Sequence, residues 1–131
     1  DGWLALFDGD YSTATVAVGE FDPLQTLVRA MVANFVHDPW LIRRVSKMLG
    51  SIGFHVVSLR SHDYTQTTEP MYMLTLIDRG ADILVGSGSL ATEAADALRT
   101  EARRRAQAGE FFGHISFVSV IARKANRANG A

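Results

Sequence analysis

Three short apolar runs stand far apart in this chain, and the stretches between them carry helical periodicity. Trp3-Leu-Ala-Leu-Phe7 is continuous; Phe54, Val56, Val57 and Leu59 follow Gly53; Ile115, Phe117, Val118, Val120 and Ile121 lie within His114 to Ala122. Runs of this length, rich in β-branched and aromatic residues, predict strands, and the unbroken first one predicts a strand covered on both faces. Asp8-Gly9-Asp10 reads as the turn that ends the first strand, and Arg60-Ser61-His62-Asp63 as the polar boundary of the second.

Asp22-Pro23 and Asp38-Pro39 each place an acceptor side chain before a proline at the first helical position, where its missing N–H costs nothing. After the first, Leu24, Leu27, Val28, Met31, Val32 and Phe35 form one apolar face; after the second, Leu41, Ile42, Val45, Leu49 and Ile52 do the same, with Arg43, Arg44 and Lys47 mostly off the stripe. Thr68 and Pro70 predict the start of a third helix running to Val85, with Gly80 a weak point inside it. Gly86-Ser87-Gly88-Ser89 breaks it, and Thr92 to Ala108 predicts a polar, alanine-rich fourth helix capped by Gly109. The order β-α-α-β-α-α-β belongs to the α/β class. Residues 1–124 read as part of one domain and 125–131 as a frayed tail. Because the chain opens directly into a central strand with no initiating methionine, the expectation is that it is a piece of something longer.

Charge excludes more than it suggests. The 13 basic and 14 acidic residues balance to −1, which supplies no attraction for nucleic acid or an anionic membrane, so neither is expected as a partner. Arg103-Arg104-Arg105 reads as a solvated helix face. No apolar run approaches the roughly 18 residues of a membrane span, and no basic region followed by an apolar core opens the sequence. Without cysteine there is neither a disulfide framework nor a thiolate site, which fits a reducing, cytoplasmic setting. The four histidines show no metal-ligand spacing, so no metal is expected. His37 reads as solvated and His55 as structural.

Trp3-Leu-Ala-Leu-Phe-Asp8, followed by a helix ending Leu49-Gly-Ser-Ile-Gly-Phe54 and then a strand, resembles the C-terminal half of class I S-adenosylmethionine-dependent methyltransferases. There a "GG-x-L-x-hydrophobic-x-D" strand precedes a helix ending "L-x-x-x-G-F"; here Asp1-Gly2 replaces the leading pair. The stretches Asp78-Arg-Gly-Ala-Asp82, Glu101-Ala-Arg-Arg-Arg105, Ala108-Gly-Glu-Phe-Phe-Gly-His114 and Ser119-Val-Ile-Ala-Arg-Lys124 are similar to the tail of the bacterial ubiquinone/menaquinone-biosynthesis type. The match covers nearly the whole chain but only the second half of the family's domain. It implies a partial Rossmann-like sheet made of the family's last three strands, the final one antiparallel between the other two, with helices inserted before it. It also implies methyl transfer to a small apolar or hydroxylated metabolite, with S-adenosylmethionine as the cofactor of the complete enzyme. The family's G-x-G-x-G cofactor loop is not in this sequence, and Gly86-Ser-Gly88, lying between helical segments, reads as a hinge.

On that topology three stretches meet at one sheet edge: Asp8, Asp10 and Tyr11; Arg60, His62 and Tyr64; Phe111, Phe112 and His114. Open α/β sheets place ligands at the carboxyl ends of their parallel strands. His114 and His62 are the candidate proton acceptors, with a satisfied structural histidine as the alternative for each. Asp10, Tyr11, Tyr64, Phe111 and Phe112 are the candidate substrate contacts, and core packing is the alternative for the phenylalanine pair. Three readings of Asp8 and Asp10 stay open: carboxylates of a turn, a substrate wall, or the D-x-D signature of haloacid-dehalogenase-type phosphatases, in which Ser12 departs from the expected Thr or Val. A non-catalytic fragment or interaction module is the rival to an enzyme. Either way the bare edge of the first strand predicts a homo-oligomer.

Overall fold

The computed structural model describes residues 2–126; of the tail expected at 125–131, residues 127–131 lie outside them. The element order is β1 (Trp3–Thr15), α1 (Leu24–Phe35), α2 (Leu41–Ser51), β2 (Phe54–Gln66), α3 (Met71–Gly86), α4 (Thr92–Ala108) and β3 (Gly113–Lys124). The strands form an open sheet in the order β1-β3-β2, with β3 antiparallel to both neighbours. The chain is α/β, with four helices around three strands.

The strands are longer than their apolar runs. Asp8-Gly9-Asp10 is not a turn: these residues pair with Val118, Phe117 and Ser116 of β3, and β1 continues past them to Thr15. The lack of a side chain at Gly9 explains its place there, because a Cβ would lie 3.1 Å from the Tyr11 ring and 3.2 Å from Ile115. A register shift follows Asp10, and Thr13 ties it down by donating to the Asp10 carbonyl (2.6 Å) and accepting from the Ser116 N–H (2.9 Å). Likewise the polar Arg60–Asp63 stretch is strand, paired with Ser119 to Ser116. Polar composition marks an edge strand with wet faces here, not a boundary.

Cross-strand pairing sorts side chains onto two faces. Leu4, Leu6, Val56, Val118, Val120 and Ala122 share one face, where Ile42, Val45 and Leu49 of α2 pack on them. Ile115 and Phe117 point to the other face and join a larger core built from α1, α3 and α4 with Ala14, Val16 and Phe111. We call these the α2 face and the roofed face, although the roof reaches only the end of the sheet where β1 and β2 finish. Gly80 is not a weak point in α3 but its contact with α1: a Cβ there would fall 1.8 Å from the Leu27 carbonyl oxygen. Gly109 caps α4 in the left-handed region (φ 72°).

The helix starts follow their Asp-Pro signals with an offset. Asp22 accepts from the Leu24 N–H (3.1 Å) and Asp38 from the Trp40 N–H (3.0 Å), so each carboxylate caps the turn leading into its helix. The third helix begins after Pro70, not at Thr68. The arginine run of α4 is also more than a solvated face. Arg103 holds Asp78 of α3 in a fork (2.7 and 3.0 Å), Arg104 bridges Glu101 and Glu110, and Arg105 reaches Asp22 (2.5 Å) and Glu101 (3.0 Å). It fastens the roof together.

Candidate functional site

β1 and β2 end, and β3 begins, at one edge: Thr15 pairs with His114, and Gln66 with Gly113. Beside β1 at this edge opens a cavity of about 800 Å³, lined by Tyr11 to Thr15, the loop from Ala17 to Pro23, and Gln25, Thr26, Arg29 and Val32 of α1. Gln25 fixes the wall: its Oε1 accepts from the Val16 N–H (2.8 Å) and the Thr15 hydroxyl (3.1 Å), while its Nε2 donates to the Ala14 carbonyl (3.0 Å). Arg29 makes no ion pair among the described residues and brings a cation to the rim, with Glu20 also present. The volume lies within the range of small-molecule sites. Arg29 had no signal in the sequence beyond lying on the polar side of its helix.

All three tyrosines of the chain converge beside this wall. Tyr64 of β2 meets Tyr72 of α3 edge to face (6.0 Å between centroids), and the Tyr11 phenol lies close enough to Tyr72 to act on its hydroxyl. Burial, and then the neighbouring phenols of Tyr11 and Tyr64, push the Tyr72 hydroxyl up to about 12, so it stays protonated at neutral pH. Phe117 joins the cluster, stacked on Phe7 (5.3 Å) and edge-on to Tyr64 (5.9 Å). Tyr11 and Tyr64 are legible in the sequence as residues of this edge; Tyr72 is hidden in a helical repeat.

The two candidate bases are not brought together. His62 pairs with Phe117 on the roofed face, where its Nε2 lies 2.8 Å from the Ser119 hydroxyl. His114 pairs with Thr65 on the α2 face, with Nδ1 3.2 Å from the Thr65 hydroxyl and Nε2 3.9 Å from Asp63. Strand alternation puts them on opposite sides of the sheet, and neither lines the cavity. The phenylalanine pair divides as well: Phe111 is buried in the roofed core, whereas Phe112 is partly exposed and stacks on His114.

Asp10 does not line the cavity. It is 7% exposed on the α2 face, with one carboxylate oxygen accepting from Ser12 (2.5 Å) and the other from Arg43 Nε of α2 (2.8 Å). A carboxylate so engaged anchors α2 to β1. Asp8 projects to the same face as Asp10, is exposed within the strand and accepts from the Gly9 N–H (2.8 Å). Among the described residues no group of three or more acidic or histidine side chains gathers to hold a metal ion.

The Gly86-Ser-Gly88 segment does not have the geometry of the family's cofactor loop. Gly86 to Gly88 close α3 and turn toward α4, with Ser87 bonded to Ser89 and Gly88 in the left-handed region (φ 73°), rather than forming a loop between strand and helix. No helix among the described residues is long and apolar enough to cross a membrane. Comparison with protein-family models, with curated proteins and with solved structures finds no match in any of the three.

Proposed function

We propose that this chain is the substrate-side part of an S-adenosylmethionine-dependent methyltransferase acting on a small apolar or hydroxylated metabolite. The observation that carries the reading is the cavity at the carboxyl end of β1, walled by Tyr11 and by a helix inserted between the strands. The strand order, with β3 antiparallel between β1 and β2, supports the correspondence to the family's last three strands. The cofactor grip then belongs to residues outside this sequence. What this chain contributes is positioning and the exclusion of water, which can account for several kcal/mol of a transfer barrier. Tyr11 and the Ser12–Thr15 edge orient the acceptor, and Arg29 neutralises or steers a polar substituent at the rim.

The test follows amide chemical shifts during titration with 2-naphthol, a small apolar hydroxylated probe. Shifts confined to Ser12–Thr15, Gln25, Thr26 and Arg29 are expected. Their absence, or a response centred elsewhere, overturns the substrate-side reading. Calorimetric titration with S-adenosylhomocysteine is expected to give no heat. Micromolar binding would show that this chain rebuilds a cofactor pocket by itself and would retract the division of labour.

A further inference from the structure

Most of the polar lining of the cavity beside β1 is already spent. Ser12 donates to Asp10, Thr13 bonds the Asp10 carbonyl and the Ser116 N–H, and the Thr15 hydroxyl donates to Gln25. Asp22 accepts from two backbone N–H groups and is matched by Arg105 of α4. The Tyr11 phenol acts on the Tyr72 hydroxyl. Three lining side chains, Glu20, Thr26 and Arg29, have no hydrogen bond or ion pair among the described residues. Glu20 and Arg29 therefore do not neutralise each other.

Their placement favours one sign of ligand. Thr26 and Arg29 are three residues apart on α1, so they are neighbours on one helix face, with Cβ atoms roughly 5–6 Å apart. A hydroxyl and a guanidinium fork on that face offer an anion several donors, and the planar fork matches a carboxylate. Glu20 instead lies in the turn between Gly19 and Phe21, neither of which adds an acceptor side chain. A cation there would meet a single exposed carboxylate on a turn, and a helix holds such geometry better than a loop does. Ala17, Val32 and Pro39 supply an apolar wall.

We propose that the cavity selects a small molecule carrying one carboxylate, held by the Arg29 guanidinium and the Thr26 hydroxyl, with its apolar body against Ala17, Val32 and Pro39. The inference rests on the reading of this cavity as the substrate site, and it narrows the acceptor from any apolar or hydroxylated metabolite to an anionic one. With Glu20 in the same lining, a lone guanidinium suits a monoanion and disfavours a polyphosphate.

The experiment titrates the chain with 6-hydroxy-2-naphthoate and with its carboxamide, which has the same shape without the charge, and follows amide chemical shifts. The naphthoate is expected to move the amides of Gln25, Thr26 and Arg29 and to bind about fivefold more tightly than the carboxamide. Arg29→Met should erase that preference with the circular dichroism spectrum unchanged, Thr26→Ala should halve it, and Glu20→Gln should widen it. High salt should also shrink it. Equal affinity for the two probes, both centred on these amides, overturns the carboxylate assignment and leaves the substrate-side reading standing. So does a preference that survives Arg29→Met, or tighter binding of the cationic 6-hydroxy-2-naphthylmethylamine, which would give recognition to Glu20. No shift of these amides with any of the probes overturns both.

Discussion

Ile115 and Ile121 belong to the same strand and the same sheet face, yet one is fully buried and the other more than a third exposed. Around Ile115 the sheet meets α1, α3 and α4, whose side chains interlock down to the carbonyl of Leu27 resting on Gly80. Around Ile121 only the reverse face is packed, by α2. Apolar patterning along a strand therefore announces that the strand belongs to a sheet, not that each of its faces finds cover within the chain. The roofed end holds its own core. The open end leaves Trp3, Phe7 and Ile121 exposed.

The sharpest way to break this comparison is at Gly80. In the middle of an ordinary helix, Gly→Ala stabilises by about 1 kcal/mol through propensity alone. Here the new methyl group meets backbone atoms of Leu27 at 1.8, 2.5 and 2.9 Å, which no rotamer change relieves. Gly80→Ala should force α1 and α3 apart and destabilise by about 4 kcal/mol, beyond the usual range for overpacking because the clash is with main chain. Urea unfolding followed by circular dichroism reads this directly. A neutral result would mean that the helix pair is not packed as described.

The two isoleucines give the next largest contrast. Ile115→Ala removes a fully buried side chain from the roofed core and should cost about 3 kcal/mol, whereas Ile121→Ala should stay within about 1 kcal/mol. Equal costs would show that the far end is covered, for instance by association of chains at the concentration used. Repeating the Ile121→Ala measurement at several protein concentrations separates that case.

How much of this could be read beforehand follows the same division. The helices and their apolar faces are legible because a 3.6-residue period is local, and the element order follows from it. Strand length is not legible at Asp8-Gly9-Asp10 or Arg60–Asp63, because turn-like composition was outweighed by ladder pairing with a β3 more than fifty residues distant. The gathering of Tyr11 and Tyr64 with His62 and His114 at one edge follows from topology alone. Which face each occupies does not, because one residue of register exchanges the faces and register is a tertiary property. That is why His62 and His114 part company. It is also why Asp10 looked available: its partner Arg43 stands on another element, with nothing in the local sequence to connect them.

Asp22 tests what holds the roof to the start of α1. Its carboxylate accepts from the Val18 and Leu24 N–H groups (3.0 and 3.1 Å) and from both terminal nitrogens of Arg105 (2.5 and 3.2 Å). Burial alone would raise its pKa, but the Arg105 guanidinium and the two backbone donors outweigh this and hold it below the usual carboxylate value. A pKa lower in the folded than in the unfolded chain contributes stability above the unfolded value of about 3.9 and loses it as pH falls through the folded one. Asp22→Asn should therefore cost about 2 kcal/mol at pH 7, where Arg105 loses one of its two carboxylate partners. The gap between the two proteins should close as pH falls below about 4. Parallel unfolding curves that keep a constant gap down to pH 2 would assign the cost to the caps rather than to the ion pair.

The smallest effect returns to glycine, on the opposite helix. Gly50 sits in the last turn of α2, and a Cβ built on it meets nothing within 4 Å. Its backbone is not in the left-handed region, so alanine needs no strain to replace it. With no clash to oppose it, the propensity term dominates, and Gly50→Ala should stabilise the chain by about 0.5 kcal/mol by restricting the unfolded state. Gly→Ala thus changes sign between two helices of one small sheet protein, because α3 is pressed against a neighbour at its glycine and α2 at its own is not. A destabilising Gly50→Ala, measured in the same urea assay, would place an unseen contact on the outer side of α2 and erase the contrast between the interlocked roof and the singly covered end.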